Sequence, residues 1–397
     1  MERPPCSLAA LGLVCALGAD PDGVWSALLA GEPTHLVARD DLVPGERLLV
    51  GAVREPLPAI PPALARYACR NDALALAALA QIEAPVRAAL AAHGAHRVGV
   101  VMGTSTSGTS DAEAAIAHRQ RHGTLSPDFR YVQLEFGGLA GFVADVLGAT
   151  GPAYTLSTAC SSGARALASA RSLLALGLCD AVVAGAVDTL CGLTANGFSA
   201  LQALASEVAN PCSANRAGLN LGEGAAIFLL LRAPGGVQLL GVGEASEAHH
   251  ISAPEPTGIG AETAMRGALA DAGLGPEAIA YLNLHGTATP LNDSMECRAV
   301  ERVFGTTLPV SSTKPLTGHA LGAAGALEAA FCWLVLARRR GDVLFLPPHR
   351  WDGVRDPELP PLHLVAKGET VAVRGPARVM SNSFGFGGND CTLVLGA

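Results

Sequence analysis

The chain has 397 residues, half of them apolar, so it is long enough for two ordinary domains or one large duplicated domain with a sizeable core. Its net charge of -8, with 16% charged and 4% aromatic residues, argues against a nucleic-acid-binding protein, because such proteins present a basic surface. The ten cysteines are scattered, with no C-x-x-C pair and no Cys/His cluster at zinc-ligand spacing. Neither structural zinc nor a disulfide framework is therefore expected.

The apolar run at residues 8–17 has the length of a signal-peptide core, but the residues before it are poorly basic and a turn into a helix follows it. We therefore interpret this run as a first buried strand and predict a cytoplasmic protein. No apolar run approaches the roughly 20 residues that a membrane-spanning helix needs. A membrane span is not expected.

Along the chain, short apolar runs alternate with Ala- and Leu-rich segments of helical length, a pattern typical of an α/β fold with buried strands. Strands are predicted at residues 8–14, 98–102, 153–157, 181–186, 225–231, 237–242, 280–284, 308–312, 379–383 and 391–395. Helices are predicted at residues 22–30, 70–93, 135–147, 161–177, 260–273, 293–304 and 319–339. Residues 40–65 and 105–130 are polar, or rich in Pro and Gly, and are predicted to cross one face as excursions.

Two strand ends in different halves of the chain have similar sequences. Ser157-Thr158 precedes a turn and a helix of small residues, and Ser312-Thr313 precedes a turn and a helix of Ala and Gly. This likeness predicts a duplicated α/β unit whose helices pack closely enough to need Gly and Ala where they meet. The alternative is that Ala-rich helices look alike by composition alone.

Cys160 lies where an apolar strand ends and an Ala-rich helix begins. A thiol at a helix N-terminus faces unpaired backbone N–H groups and the positive end of the helix dipole, so its pKa is expected to fall. This position favours a nucleophile. The alternative, open for any of the ten cysteines, is a buried apolar cysteine.

Two histidines lie just beyond predicted strands, where α/β folds display functional groups. His285 follows one strand, and His319 begins a predicted helix five residues after Lys314. A lone histidine is more often structural than catalytic, but these two lie among Gly, Thr and Ser, with no bulky neighbour in sequence to bury them.

A glycine-rich run at residues 382–389 permits tight backbone geometry that aims N–H groups at an oxyanion. It lacks the Lys-Ser/Thr pair of a phosphate-binding loop. Together with Cys160, His285 and His319, this run predicts an acyl-transfer site.

Motifs in this order over nearly the whole chain resemble those of the β-ketoacyl-acyl carrier protein synthases, the condensing enzymes of the thiolase superfamily. The motifs lie at residues 103–108, 158–163, 221–225, 285–289, 312–319 and 382–389. The set Cys160, His285 and His319 is similar to that of the elongating KAS I/KAS II group, because the initiating enzymes use Cys-His-Asn. The resemblance implies an α/β, thiolase-like fold with a five-layered αβαβα architecture. Its duplicated halves would be residues 1–236, with the cysteine, and 237–397, with both histidines.

The resemblance also implies a decarboxylative Claisen condensation. Cys160 would carry the acyl chain as a thioester, with an oxyanion hole made by the backbone N–H groups of Cys160 and Phe386. His285 and His319, as neutral imidazoles in a dry pocket, would donate hydrogen bonds to the carbonyl of a malonyl thioester while CO₂ leaves. The resulting carbanion would attack the acyl-Cys160 thioester and give a β-ketoacyl product.

Further residues receive roles by the same resemblance. Lys314 would orient the site while paired with Glu328, or the two form only a buried ion pair that fixes a helix. The remaining matches are Thr287 and Thr289 to pantetheine-binding positions, Phe386 to a gate between the acyl pocket and the malonyl site, and Thr106 to the end of the acyl pocket.

Four charged residues have simpler interpretations. Asp293 and Glu296 lie three residues apart on a predicted helix and are expected to stabilise the fold rather than act as an acid/base pair. Arg66 and Arg70 lie near the surface on which the family docks its carrier protein, or they are solvated helix charges.

The chain departs from the housekeeping pattern of the family at two places. Pro-Phe-Asp becomes Pro-Cys-Ser at the start of residues 211–219, and Gly-Gly-Thr-Asn becomes Gly-Gly-Asn-Asp at residues 387–390. The catalytic residues are untouched. The departures leave the substrate open and are typical of a dedicated pathway, such as aryl-polyene or other polyketide-like lipid assembly.

We expect an acyltransferase that receives acyl and malonyl groups from an acyl carrier protein and forms a homodimer, or a heterodimer with a related subunit. No metal or bound cofactor is expected, because phosphopantetheine arrives on the carrier. One alternative is a chain-length-factor-like subunit, which typically lacks the cysteine. Another is a thiolase, which has a second cysteine near the C-terminal glycine-rich loop; Cys391 is expected to face the core instead.

Overall fold

The computed structural model describes residues 4–397 as alternating strands and helices. The strands are β1 Ser7–Cys15, β2 Val37–Arg39, β3 Leu48–Val50, β4 Val98–Gly103, β5 Ala153–Leu156, β6 Ala181–Asp188, β7 Gly224–Leu231, β8 Gln238–Ser246, β9 Tyr281–Asn283, β10 Pro309–Ser311, β11 Val343–Phe345, β12 His363–Leu364, β13 Thr370–Ala372, β14 Arg378–Gly385 and β15 Asn389–Gly396. The α-helices are α1 Pro21–Ala30, α2 Arg70–Gln81, α3 Glu83–His93, α4 Thr109–His122, α5 Tyr131–Leu134, α6 Phe136–Leu147, α7 Ser162–Ala175, α8 Gly192–Ala200, α9 Ile259–Ala272, α10 Pro290–Phe304, α11 Lys314–Thr317 and α12 Ala324–Ala337.

Eleven strands form one hydrogen-bonded array in the order β12-β10-β9-β14-β15-β8-β1-β7-β6-β4-β5. Within it, β5-β4-β6-β7-β1 are joined by two parallel and then two antiparallel pairings. The strands β10-β9-β14-β15-β8 repeat this succession of pairings, and the two sets meet at the pair Ser7 and Gln238. The repetition confirms the predicted duplication, while the division at residue 236 stays a prediction.

Three layers of helices enclose the two sets of strands. Helices α7 and α12 pack against each other between the sets, with β4 and β6 on one side and β14 and β15 on the other. Helices α2 and α6 cover the outer face of the first set, and α9, with α10 against it, covers the second. The predicted five-layered αβαβα architecture is confirmed.

Strand β6 shows why the strands of the array have continuous apolar sequences. Val182 and Ala184 belong to the central core with α7 and α12, whereas Val183 and Val187 belong to the outer core with α2 and α6. Because both faces of the strand are buried, residues at both alternations are apolar.

All ten predicted strands are present, with small shifts at their ends. The short strands β2, β3, β11, β12 and β13, of two or three residues each, are not predicted. The prediction of one helix at residues 70–93 is wrong, since α2 and α3 meet at a 77° bend. Pro85 explains the break, because it has no N–H for the carbonyl of Gln81 and its ring crowds that turn.

Two other helix predictions are corrected. The excursion predicted at residues 105–130 contains α4, whose sequence is polar because only a narrow side of it, including Ala112 and Ala115, is buried. The helix predicted at residues 319–339 begins later, at Ala324, after a 3-10 turn. Leu321 in that turn has a left-handed φ of 49°, which a regular helix does not accommodate.

Within residues 4–397, no single helix is long and apolar enough to cross a membrane. The bent pair α2 and α3 reaches that length and composition only when its two helices are counted together.

Helices α7 and α12 approach each other through glycine. A Cβ on Gly163 would lie 2.6 Å from the backbone nitrogen of Ala326, and a Cβ on Gly325 would lie 2.8 Å from that of Ala164. Backbone atoms at these distances cannot yield as a flexible side chain would. The small residues predicted for the meeting point of the duplicated helices are therefore required by the packing.

We expect Gly163→Ala to destabilise the protein by about 1–3 kcal/mol, because the added methyl group overpacks the contact with α12. Urea unfolding of the purified protein measures this loss. Gly137→Ala is a matched control at the second residue of α6, where nothing lies within 4 Å of the added Cβ. Equal unfolding midpoints for the two variants would contradict the packing argument.

Candidate active site

The turn that carries Cys160 is fixed by the hydroxyl groups that follow it. After β5, Ala159 takes a left-handed φ of 52°, and α7 begins at Ser162. The Ser162 hydroxyl accepts a hydrogen bond from the N–H of Thr158 at 2.8 Å and donates one to the carbonyl of Ala159 at 2.6 Å. This local network places Cys160, which is buried, at the start of the helix as the sequence predicts.

His285 lies just after β9 on a turn that a buried carboxylate holds. Glu296 on α10 accepts hydrogen bonds from the N–H groups of His285 at 2.8 Å and Gly286 at 2.7 Å. Asp293, one turn earlier, accepts from the N–H of Ala288 at 3.2 Å. Both carboxylates thus anchor the backbone of this turn, which agrees with the fold-stabilising interpretation.

His319 lies between α11 and the 3-10 turn that leads into α12, rather than on a helix. Its N–H donates to the carbonyl of Asn220 at 2.7 Å, and its carbonyl accepts from the N–H of Gly222 at 2.9 Å. A Cβ on Gly222 would lie 2.5 Å from the carbonyl oxygen of Thr317. The motif at residues 221–225 therefore holds the His319 segment in place.

The structure brings Cys160, His285 and His319 together. The Cys160 Sγ lies 3.0 Å from the Nε2 of His319. The two imidazole rings lie 5.3 Å apart, nearly perpendicular to each other at 85°. One ring nitrogen of each histidine and the sulfur all lie within 4.8 Å of one another.

Burial sets the protonation of these groups. Burial, and then the positive charge of Lys314, hold the pKa values of His285 and His319 well below the usual range, so both imidazoles are neutral. Burial raises the pKa of the Cys160 thiol to about 11, although Lys314 and a hydrogen bond from the backbone of Phe386 oppose this rise. The expectation of a lowered thiol pKa is therefore wrong, because desolvation outweighs the helix terminus.

Lys314 and Glu328 form a buried ion pair beside His285. The Lys314 ammonium also donates to the carbonyl of His285 and lies 3.4 Å from its Nδ1. An ammonium group can only donate, so Nδ1 carries the lone pair and the His285 proton sits on Nε2. Burial raises the pKa of Glu328 to about 7, and Lys314 holds it from rising further.

A cavity of about 280 Å³ opens onto this cluster. Thr287 and Thr289 line it, with their hydroxyl oxygens 2.9 Å apart. Phe386 also lines it, and its ring lies 5.5 Å from that of Phe198. The backbone N–H of Phe386 lowers the pKa of the Cys160 thiol through a hydrogen bond, which puts this N–H beside the sulfur.

Besides Lys314 and Glu328, three other residues singled out in the sequence do not line this cavity. Thr106, predicted at the end of the acyl pocket, does not line it, because its hydroxyl donates to Asp188 at 2.8 Å and accepts from the N–H of Thr189 at 3.0 Å. Arg70 is not a free surface charge, since it pairs at 2.5 Å with the buried Glu223. Arg66 is exposed and pairs with Asp145, at 2.7 Å, on the surface.

Cys391 is fully buried in the central core from β15 and does not line the cavity. This position agrees with the expectation that it faces the core.

Sequence reasoning missed three acids near the site. Asp188 at the end of β6 accepts from the N–H groups of Ser105 at 2.7 Å and Gly322 at 2.6 Å, which ties the first half to the segment after His319. The available signal was an acid that ends an apolar strand. Glu247 and Asp390 line the cavity, and the signal for Asp390 was its departure from the family pattern.

The donor set of Cys160, His285 and His319 is also one that could hold a metal ion. The ammonium group of Lys314, 3.4 Å from His285, opposes a second cation here. The expected absence of a metal and of a bound cofactor stays a prediction.

Family comparison agrees with this geometry. Residues 6–234 match the family described as Beta-ketoacyl synthase, N-terminal domain, and residues 237–341 match Beta-ketoacyl synthase, C-terminal domain. The chain belongs to the β-ketoacyl synthase family.

Individual relatives cover the whole chain. Nodulation protein E of Rhizobium meliloti (strain 1021) is 33% identical over 98% of this chain and 98% of that protein. The 3-oxoacyl-[acyl-carrier-protein] synthase 2 of Coxiella burnetii (strain RSA 493 / Nine Mile phase I) is 31% identical over 100% of this chain and 99% of that protein. A chain of the solved complex of the ketosynthase ApeO with its chain length factor ApeC, from Xenorhabdus doucetiae, is 42% identical, with a TM-score of 0.93, over 99% of this chain and 98% of that one.

We expect Lys314→Met to lower the free energy of unfolding by about 3–5 kcal/mol at pH 8, because it leaves the buried Glu328 carboxylate without its cation. The loss should be smaller at pH 6, where Glu328 of the intact protein also carries a proton, since its pKa is raised to about 7. Urea unfolding at both pH values measures the difference.

Lys367→Met provides the control, because Lys367 is the only other lysine in the sequence and forms an exposed pair with Glu32 at 2.7 Å. That variant should lose at most about 1 kcal/mol. A similar small loss for Lys314→Met would show that the buried pair does not stabilise the site.

Proposed function

We propose that this chain is a β-ketoacyl-acyl carrier protein synthase that condenses an acyl group held on Cys160 with a malonyl group on an acyl carrier protein. The carrying observation is the convergence of a thiol, two neutral imidazoles and a backbone N–H on one cavity. The thiol and the backbone N–H serve acylation, and the two imidazoles serve condensation.

Acylation is the first step. The Cys160 sulfur attacks the carbonyl of the incoming acyl thioester while the Nε2–H of His319, 3.0 Å away, stabilises the developing negative charge on the sulfur, and the thiol proton ends on the departing pantetheine sulfur. The N–H groups of Cys160 and Phe386 stabilise the oxyanion of the tetrahedral intermediate. Because burial raises the pKa of the thiol to about 11, the proton leaves during attack rather than before it.

Condensation is the second step. The thioester carbonyl of the malonyl group accepts hydrogen bonds from the Nε2 atoms of His285 and His319, and CO₂ leaves as the electron pair forms an enolate. The enolate carbon attacks the acyl thioester on Cys160, so a carbon–carbon bond forms and the carbon–sulfur bond breaks. Cys160 leaves as a thiolate and regains its proton from water. Lys314 supports this step by holding the His285 proton on Nε2.

The cavity suits a pantetheine arm. Thr287 and Thr289 present hydroxyl groups for the amides of such an arm, and Phe386 lines the same cavity. By its match to the family, Phe386 would separate the acyl side from the malonyl side. The acyl carrier protein would therefore deliver both substrates, and no cofactor would remain bound to this chain. We also propose a cytoplasmic location, in keeping with its ten free cysteines.

A related chain is the partner that we propose. Strand β5 is one of the two outer strands of the array, and helix α6 packs against it. Helix α5 contacts α6, α4 contacts α5, and α8 contacts α4, and these three helices expose large apolar side chains. These are Ile116, Tyr131, Leu134 and Leu193. Apolar side chains beside a strand edge suit a second chain of the same fold. Because Cys160 is present, this chain would be the catalytic half of a ketosynthase and chain-length-factor pair in polyene or polyketide-like assembly.

We expect Cys160→Ala to abolish condensation of acyl- and malonyl-carrier thioesters. Incubation of the intact protein with a panel of acyl-carrier thioesters should add the mass of each accepted acyl group, and peptide mapping should place it on Cys160. Cys391→Ala is the matched control, since this buried cysteine lies away from the cavity. An acyl adduct on Cys391, or normal product from Cys160→Ala, would disprove the assignment.

Native mass spectrometry of the tagged chain, purified from its host, distinguishes the proposed assemblies. We expect this 40.2 kDa chain in a dimer with a different ketosynthase-like chain. Leu193→Asp, which places a charge in the exposed apolar surface, should lower the dimer fraction. A dimer of twice the chain mass would exclude the heterodimer.

A further inference from the structure

Two acidic side chains line the cavity and have no part in the proposed steps. Glu247 follows β8, and Asp390 lies on β15 with only 1% of its surface exposed. One carboxylate oxygen of each, Oε1 of Glu247 and Oδ2 of Asp390, is buried without a hydrogen-bond partner in the described part of the chain. Both oxygens lie 2.5 Å from the point that a Cβ on Gly260 would occupy. They therefore face the same small space.

Two ionised carboxylates are unstable in such a space. Each ionised carboxylate can only accept hydrogen bonds, so the two cannot bond to each other, and their negative charges repel. A proton on one of them converts the pair into a donor and an acceptor. Burial, followed by the charge of Glu247, raises the pKa of Asp390 to about 8, so Asp390 carries this proton at neutral pH.

The surrounding charges relieve the repulsion within the pair only in part. Arg165 on α7 donates to the backbone carbonyl of Asp390 at 3.2 Å and lies 3.2 Å from the carboxylate of Glu244. Its positive charge lowers the pKa of Asp390, whereas the charge of Glu296 on α10 raises it. Oε2 of Glu247 accepts from the N–H of Glu255 at 2.9 Å, which leaves Oε1 for Asp390.

The pair joins the two segments that position Phe386. Residues 386–388 connect β14 to β15 and lie against residues 247–251. The N–H of Glu247 donates to the carbonyl of Gly388 at 3.0 Å, and the N–H of Gly387 donates to the carbonyl of Ile251 at 2.9 Å. Glu247 belongs to one segment, and Asp390 lies two residues after the other.

We propose that Glu247 and Asp390 share one proton, and that this proton holds residues 386–388 where the N–H of Phe386 faces Cys160. Asp390 is then a positioning residue. That the N–H of Phe386 acts as an oxyanion donor rests on the proposed function. Loss of the proton places two negative charges in one buried space. Their repulsion separates residues 386–388 from residues 247–251 and moves the N–H of Phe386 away from Cys160.

Asp390→Asn isolates the role of the proton, because its amide can donate to Glu247 at every pH. The single-turnover rate of Cys160 acylation is measured for the purified enzyme from pH 6 to 9.5. The rate of the natural enzyme divided by that of Asp390→Asn should fall about tenfold between pH 7 and pH 9, as for one group that loses a proton near pH 8. Taking this ratio cancels the ionisation of Cys160 itself, which both proteins share.

Two further variants sharpen this test. Asp390→Ala, which can neither donate nor accept, should acylate more slowly than Asp390→Asn throughout the range. Glu244→Gln, which removes a carboxylate on β8 that pairs with Arg165 outside the cavity, should follow the pH profile of the natural enzyme. Parallel pH profiles for the natural enzyme and Asp390→Asn would overturn the proposal.

Infrared difference spectroscopy provides a readout that does not require catalysis. The natural protein minus Asp390→Asn should show a protonated-carboxyl band at pH 7 that disappears as the pH rises through 8. Absence of this band would overturn the shared proton. If the band titrates as expected but no acyl group reaches Cys160, the shared proton stands and the proposed function fails.

Discussion

The close approach of α7 and α12 is the contact on which the site depends. Gly163 and Gly325 let the backbones of these helices meet between the two sets of strands. Cys160 lies just before α7 and His319 just before α12, so the same approach brings the sulfur within 3.0 Å of the imidazole. A duplicated strand, turn and helix thus gives the nucleophile from one half and its partner from the other. Any widening of the helix contact would separate them.

The dry interior then decides which chemistry these groups can perform. Burial favours neutral forms, which keeps both histidines as N–H donors and the Cys160 thiol protonated until attack. Lys314 is the positive charge nearest to this cluster, and its ion pair with Glu328 balances it. The positive charge therefore lies beside the reacting atoms, on Lys314, and the reacting groups themselves are neutral. Such an arrangement stabilises an enolate or oxyanion only while it forms.

Much of the fold and of the site could be predicted from the sequence, because both depend on patterns of neighbouring residues. Continuous apolar runs located the ten main strands, and the small residues after Cys160 and before α12 indicated the duplicated helix contact. The pKa of Cys160 could not be predicted, since it depends on burial by residues distant in the chain. Helix α4 was missed because its buried side is too narrow to produce a periodic pattern. The place of Thr106 depends on a long-range partner, Asp188, that its own motif does not reveal.

The departures from the family pattern lie around the reacting atoms rather than among them. The N–H of Cys212 donates to Asp293 at 2.8 Å, and Asp293 in turn holds Ala288 between the two cavity threonines. Asp390 lies at the cavity wall beside Glu247. When a buried carboxyl group ionises, the folded state loses about 1.4 kcal/mol of stability for each unit by which the pKa of that group is raised. With Glu247 and Asp390 at the cavity, the hydrogen bonds of the cavity wall depend on one proton. The departures and the reacting groups are thereby separable in this fold, because Cys160, His285 and His319 follow β5, β9 and α11, whereas Asp390 lies on β15.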